Sequence, residues 1–329
     1  MHMPFQLPRT FCGVANYTNQ PYVVVGAPTD SATTFRSGSR MGPGAIRDAS
    51  LMLCDGEHEW FPVSFDQMVG DAGDMGIVSG NVQQALATIQ DMHSTFVQNN
   101  KHVVTLGGDH SITLACLRSL YKKQGTMAMV HFDAHCDTWS DHFGEKYGHG
   151  TWLRNAIEEG LVDPRKCVSV GVRSPAEKSV RKWLSDQGGT TITARQAAGY
   201  TAITLSDIIA YACTHNTPTY LSLDIDCLDP AFAPGTGTPE IGGLSSLFVS
   251  AIIDHLTQVK WCGMDLVEVA PAYDHSQITA LAGATFVWQY ISMQIFQNQK
   301  KINSTVNSKQ INQERIQLLP DWVKNMITL

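Results

Sequence analysis

The sequence lacks four things: a C-x-x-C pair, an apolar run long enough to cross a membrane, an excess of positive charge, and an internal repeat. Its eight cysteines, Cys12, Cys54, Cys116, Cys136, Cys167, Cys213, Cys227 and Cys262, are scattered singly, which excludes the dense disulfide framework of small secreted domains and reads as reduced thiols. Nowhere do about 18 apolar residues run together. Met1 to Tyr17 carry neither the basic flank nor the apolar core of a signal peptide, so a cytoplasmic protein is expected. With 23 Lys and Arg against 30 Asp and Glu, the formal charge is −7, a balance that repels phosphate backbones and anionic lipid. Nucleic acid and membrane are therefore poor partners, and a small cation is a better one.

No Pro-rich or Ser-rich linker interrupts residues 1–296, and 43% hydrophobic residues over 329 positions supply a substantial core, so 1–296 is read as a single domain. From 297 to 315 the chain is polar and rich in Asn, Gln and Lys, and Leu318–Ile327 has the pattern of a short amphipathic turn or helix. Residues 297–329 are read as a tail with no chemistry of its own.

What the sequence does contain is an alternation of short β-branched runs with helical periodicity. The runs are Tyr22–Gly26, His102–Leu106, Met127–Phe132, Val168–Val172, Thr190–Thr193, Tyr220–Ile225 and Cys262–Val267. They show little polar alternation, as expected of strands buried on both faces, and the order predicts an α/β fold with a mostly parallel sheet between helices. Pro43 opens a helix over Pro43–Cys54, Ser79 or Asn81 precedes one reaching Asn99, and another spans Ser111–Lys123. Ser174-Pro175-Ala176-Glu177 reads as a capping box for a helix that Gly188-Gly189 ends.

Three clusters of chemistry-bearing residues fall where predicted strands end, the place where ligands gather in open α/β sheets. Gly107-Gly108-Asp109-His110-Ser111 reads as a tight turn with a Ser111 helix cap about as readily as a ligand site. His131-Phe132-Asp133-Ala134-His135-Cys136-Asp137-Thr138 leaves an apolar strand, and a period of two sends Asp133, His135 and Asp137 to one side. Asp224-Ile225-Asp226 closes another strand with two acids on one face, and Cys136 and Cys227 alternate away as packing residues. Two carboxylates about 4 Å apart repel by about 4 kcal/mol at an effective dielectric of about 20. Four converging aspartates therefore call for cations: two divalent ions balance them, and carboxylates with a minority of imidazoles favour Mn²⁺ over a structural zinc site.

At these residues the sequence resembles the ureohydrolase family of arginases, agmatinases and related guanidino-acid hydrolases, over roughly Tyr22 to Phe296. The runs Gly107–Ser111, His131–Thr138 and Ser222–Gly243 carry the resemblance, each in order and in the expected strand context. It implies a three-layer αβα fold with a mostly parallel sheet of about eight strands. It implies His110, Asp133, Asp137 and Asp226 as ligands of one Mn²⁺ and His135, Asp133, Asp224 and Asp226 as ligands of a second. It implies attack by hydroxide on a guanidinium carbon, collapse of a tetrahedral intermediate, and release of urea and an amine, with Asp137 moving the proton. His149 matches the family's proton-shuttling or substrate-orienting histidine, although alone it reads as an exposed loop residue. Glu268 matches the carboxylate that holds the guanidinium, and a carboxylate suits that planar fork. Thr238 is a further contact or an ordinary turn residue, and Asp109 is read as orienting His110. The family's usual assembly implies a homo-oligomer, a trimer or hexamer.

Arginase-like sequences carry Asn two residues after the last aspartate of the comb, where this chain has Trp139, which argues against arginine. Agmatine, giving putrescine and urea, is the leading substrate, with 4-guanidinobutyrate the alternative. For the far end, Arg36, Arg40 and Lys146 suit a carboxylate, whereas Asp30, Asp141 and Glu145 suit an amine. Two rivals come from other classes: a two-metal phosphoesterase, which would want basic groups for phosphate, and a non-catalytic partner subunit, which would have lost ligands.

Overall fold

Each of those β-branched runs forms a strand of one sheet, and the computed structural model describes residues 9–78, 80–213 and 216–303. The strands are β1 (Tyr22–Ala27), β2 (Val69–Asp74), β3 (His102–Gly107), β4 (Met127–Phe132), β5 (Val162–Val172), β6 (Thr190–Thr193), β7 (Thr219–Asp224) and β8 (Trp261–Val267). Helices α1 (Gly42–Ser50), α2 (Phe65–Met68), α3 (Val82–Gln98), α4 (Ile112–Gln124) and α5 (Trp152–Glu158) belong to the first half. The second half has α6 (Lys178–Asp186), α7 (Ala194–Ala197), α8 (Ala202–Ala212), α9 (Ser246–His255) and α10 (Ile278–Asn303). All pairings are parallel and the order is β2-β1-β3-β8-β7-β4-β5-β6. This is the three-layer αβα architecture expected.

Successive residues of a strand feed opposite faces, so the core comes in two layers. Val24, Val104 and Val130 pack with residues of α1, α8, α9 and α10, whereas Val25, Val103 and Met129 pack with α3, α4 and α5. α3 is capped by the Asn81 side chain, which accepts from Gln84 N at 2.9 Å; Ser79 lies outside the described residues. The capping box expected at Ser174–Glu177 does not form: Ser174 Oγ donates to Glu240 Oε1 at 2.8 Å, and α6 starts without a side-chain cap. A capping box is found instead at Thr193 and Gln196, where α7 begins. α10 continues through 296 to Asn303, and the pattern at Leu318–Ile327 lies outside the described residues. No described helix is long and apolar enough to cross a membrane.

One consequence of the strand order governs the rest. β3, β8, β7 and β4 are neighbours at the centre of the sheet, and their ends are level: Leu106 pairs with Leu266, Leu266 with Leu223, and Leu223 with Phe132. The chain reaches this arrangement by jumping from β3 across two strand positions to β4, the kind of switch point where loops splay apart and leave a crevice. Loops from four distant stretches of sequence therefore meet over one patch.

Candidate active site

β3 delivers His110. The turn that carries it is tight because a Cβ at Gly108 would fall 2.3 Å from Thr29 O, so only glycine lets the loops approach. β4 delivers the next group, though not by strand alternation. The strand stops at Phe132, and Asp133 to Asp137 curl over its end, with Asp137 in the left-handed region at φ 51°. Likewise β7 ends at Asp224, and a 3₁₀ turn over Ile225–Cys227 brings Asp226 alongside, its N–H donating to Asp224 Oδ1 at 2.8 Å. Turns, rather than the pleat, gather both acidic groups. Cys136 and Cys227 are buried thiols.

The six residues picked from the sequence as metal ligands converge. His110 Nδ1 lies 3.1 Å from Asp133 Oδ2, 3.2 Å from Asp137 Oδ2 and 3.0 Å from Asp224 Oδ2. His135 Nδ1 lies 3.1 Å from Asp133 Oδ1 and 3.2 Å from Asp226 Oδ2. Asp133 is common to both groups, which makes two adjoining clusters able to hold a cation, His110-His131-Asp133-Asp137 and Asp133-His135-Asp226.

A test of fit comes from the other edge of His110. Its Nε2 is 2.8 Å from Ser222 Oγ, and that hydroxyl donates to Asp265 Oδ1 at 2.7 Å, so Ser222 accepts from Nε2–H and, in the neutral imidazole, Nδ1 is the nitrogen with the lone pair. That Nδ1 is buried without a hydrogen-bond partner, facing three carboxylates. Facing them, Nδ1 needs either a proton, which the carboxylates favour against the cost of burial by raising the imidazole's pKa, or a metal cation in the proton's place. Among the described residues, the ion pairs reaching Asp133, Asp137, Asp224 and Asp226 all come from histidines. Burial together with the Asp133 charge pushes the Asp137 carboxyl up to about 8, and burial with Asp226 and Asp133 raises Asp224 well above the usual range. The donor set, imidazole nitrogen and carboxylate oxygen with no thiolate, fits hard or borderline divalent metal ions.

Three neighbours escaped the sequence reading. His131 bonds Asp133 Oδ2 through Nε2 at 2.8 Å and Ser169 Oγ through Nδ1 at 3.0 Å. Its place two residues before Asp133 was the available signal. Trp152, the first residue of α5, donates its indole N–H to Asp137 Oδ2 at 2.6 Å and covers the His110 ring at 4.8 Å. Ser222 fixes His110, the task expected of Asp109. Asp109 instead accepts from Ala32 N at 3.0 Å and from Ser111 N at 3.0 Å and does not touch the imidazole.

Four strands of a parallel αβα sheet that end in this His/Asp cluster invite comparison with proteins of known kind. A model of the arginase family matches residues 20–292. The chain belongs to the arginase family. It is 42% identical over 287 residues to an agmatinase of Shigella sonnei, covering 84% of this chain and 90% of that protein. Its fold superposes on the crystal structure of a hypothetical agmatinase from Burkholderia thailandensis, with TM-score 0.78, 38% identity and 89% of each chain covered. It also matches the proclavaminate amidino hydrolase of Streptomyces clavuligerus, with TM-score 0.83, 36% identity, and 88% of this chain and 97% of that one covered. Like its family, this chain is a ureohydrolase, a hydrolase of linear amidines.

In this arginase-family protein the cluster opens into a pocket of about 390 Å³, whose lining includes His110, His135, Asp137, His149, Asp224 and Thr238. Thr238 Oγ1 donates to Asp226 Oδ2 at 3.3 Å. His149 is buried, with Nδ1 2.9 Å from Glu268 Oε1 and Nε2 2.8 Å from Thr34 Oγ1. Burial disfavours its charge, but the Glu268 hydrogen bond and the charges of Glu268, Asp109 and Asp137 together outweigh this and raise its pKa. Glu268 follows β8 in the left-handed region at φ 64° and lies off the pocket wall. Its Oε1 also accepts from His110 N at 3.0 Å, and its Oε2 is buried without a partner.

The charged residues considered for the substrate's far end separate cleanly. Arg40 Nε bonds Asp30 Oδ1 at 2.6 Å, so each neutralises the other. Arg36 stacks on Phe35 and Tyr273, Lys146 sits over Tyr147, and Glu145 Oε1 accepts from Tyr147 N at 3.0 Å. Of the six, only Asp141 lines the pocket, beside Trp139, and no Lys or Arg does.

Proposed function

We propose that this ureohydrolase cleaves agmatine to putrescine and urea with two Mn²⁺ ions per subunit. The observation that carries the reading is the charge of the pocket: carboxylates at its floor and Asp141 at its mouth, with no lysine or arginine in the lining. A guanidine with a cationic tail suits such a surface. The anionic tail of 4-guanidinobutyrate, or a phosphate ester, meets no counter-charge there.

His110, Asp133, His135, Asp137, Asp224 and Asp226 are the residues that would hold the ions. When bound, the pair supplies the Lewis acidity that makes a nucleophile of water at neutral pH. Asp137, its Oδ2 fixed by the Trp152 indole, takes the proton that this water loses and passes it to the departing nitrogen. His149 donates Nδ1–H to Glu268, which leaves Nε2, on the pocket side by Thr34, to orient the substrate or relay a proton to the leaving amine. Glu268, behind the pocket lining, acts on the substrate through His149, whose Nδ1 it holds, and its carboxylate charge favours a guanidinium in the adjoining pocket. Once water has added to the guanidinium carbon, the bond between that carbon and the nitrogen carrying the alkyl chain breaks, and that nitrogen leaves as the protonated amine, with urea as the second product.

The test is a urea-release assay on the Mn²⁺-loaded chain with agmatine, 4-guanidinobutyrate, 3-guanidinopropionate, arginine and guanidine side by side. Agmatine is expected to give the highest kcat/KM. A preference for either guanidino acid would overturn the substrate and keep the reaction class.

A further inference from the structure

The stretch 139–147 forms a hairpin over the pocket mouth, and its tip is built against ordinary folding preference. His142 N donates to Glu145 O and Glu145 N to His142 O, both at 2.9 Å, so Phe143 and Gly144 are the two central residues of a tight turn. Both have positive φ, 54° and 85°, a conformation that glycine and asparagine accept and that a bulky aromatic resists. Phe143 is also 97% exposed while lining the pocket, so it contributes nothing to the core. The hairpin is fixed from below. The His142 ring lies so close to the backbone around His149 that a Cβ at Gly148 would meet its Nδ1 at 2.9 Å and one at Gly150 its Nε2 at 2.8 Å.

Asp141 is held in place just before the tip. Its Oδ1 accepts from Gly144 N at 3.0 Å and its Oδ2 from Ser140 Oγ at 3.1 Å, both neutral donors, and no described cation pairs with it. The hairpin thus presents a hydrogen-bonded negative charge beside an unburied ring in the lining of the pocket that the His/Asp cluster also lines. That pairing matches an ammonium at the end of a methylene chain.

Resting on the agmatine reading above, we propose that this hairpin selects the substrate by its tail: Asp141 receives the terminal ammonium and the Phe143 ring covers the methylenes. The ammonium supplies donors to carboxylate lone pairs that Gly144 and Ser140 leave open, and the ring loses water on one face as the chain slides beneath it.

The experiment compares agmatine with butylguanidine, which keeps the reacting guanidinium and loses the terminal ammonium, on full-length Mn²⁺-loaded protein. Wild type is expected to favour agmatine. Asp141→Asn lowers kcat/KM for agmatine by about 5- to 30-fold, mainly through KM, because a charge-assisted contact at an exposed rim is partly screened. The loss for butylguanidine, which has no ammonium to lose, is several-fold smaller, and an unchanged Tm shows that the variant is folded. Phe143→Asn supplies a residue that the turn prefers and removes the ring, so it lowers kcat/KM for both substrates by about fourfold without loss of Tm. A wild type that does not distinguish the two substrates overturns the agmatine reading itself. A wild-type preference that survives Asp141→Asn overturns only the tail-binding role.

Discussion

Two regions of this protein bury charge, and they handle it in opposite ways. On the β2 edge of the sheet, Arg47 of α1 is surrounded by its own counter-ions. Its Nε is 2.8 Å from Asp71 Oδ2, its Nη2 3.1 Å from Asp71 Oδ1, its Nη1 2.5 Å from Asp74 Oδ1, and Nη2 also reaches Gly73 O at 3.0 Å. Asp71 completes its set by accepting from Phe11 N and Gly73 N, each at 2.8 Å. That network closes within the protein. At the centre of the sheet four buried aspartates have neutral hydrogen-bond donors and, among the described residues, no ion-pair partners but histidines, one of which presents an unpartnered nitrogen. The difference separates structural charge from functional charge: a buried cluster left open by its own chain is one built to be completed from outside.

The comparison can be broken from either end. The larger effect on stability is expected at the closed network. Arg47→Met strands Asp71, 2% exposed, without its partner, and should lower the unfolding free energy by about 3–5 kcal/mol in urea titrations. Turnover per folded chain should stay, because Arg47 touches no residue of the pocket; a loss of kcat without loss of stability would join the two regions and break the distinction. The smaller effect is expected at the open cluster. Ser222→Ala removes the acceptor that fixes His110, and the Mn²⁺ concentration for half-maximal turnover should rise about 10- to 100-fold while Tm of the metal-free protein changes little. An unchanged metal requirement would show that the imidazole is held by other means.

Legibility in the sequence divides along the same line. The open cluster is readable because its residues stand in dense runs, His131–Thr138 and Asp224–Asp226, at the ends of apolar strands. How they converge is less readable. Strand alternation was the expected device, and the structure uses a left-handed Asp137 and a 3₁₀ turn, which depend on tertiary contacts. Trp152 and Ser222 look like ordinary apolar and small residues until packing brings them to Asp137 and His110. The closed network was silent. Arg47 lies 24 residues from Asp71 and 27 from Asp74, and β2, Val-Gly-Asp-Ala-Gly-Asp, has too little β-branched character to read as a strand. It is a strand because β1 pairs with it and because Arg47 and the Phe11 N–H satisfy its acids. The hairpin tip at Phe143 was unreadable for a related reason, since a two-residue turn of this kind calls for asparagine or glycine at that position.

The central claim is that the open cluster is completed by two divalent cations on which urea formation depends. Equilibrium dialysis of chelator-treated protein against Mn²⁺, with urea release from agmatine followed on the same samples, tests it directly. The account predicts two ions bound per chain in step with the return of activity, and loss of both binding and nearly all turnover in Asp226→Asn. Full urea release from metal-free protein, or an Asp226→Asn variant that keeps two ions and normal kinetics, would contradict it.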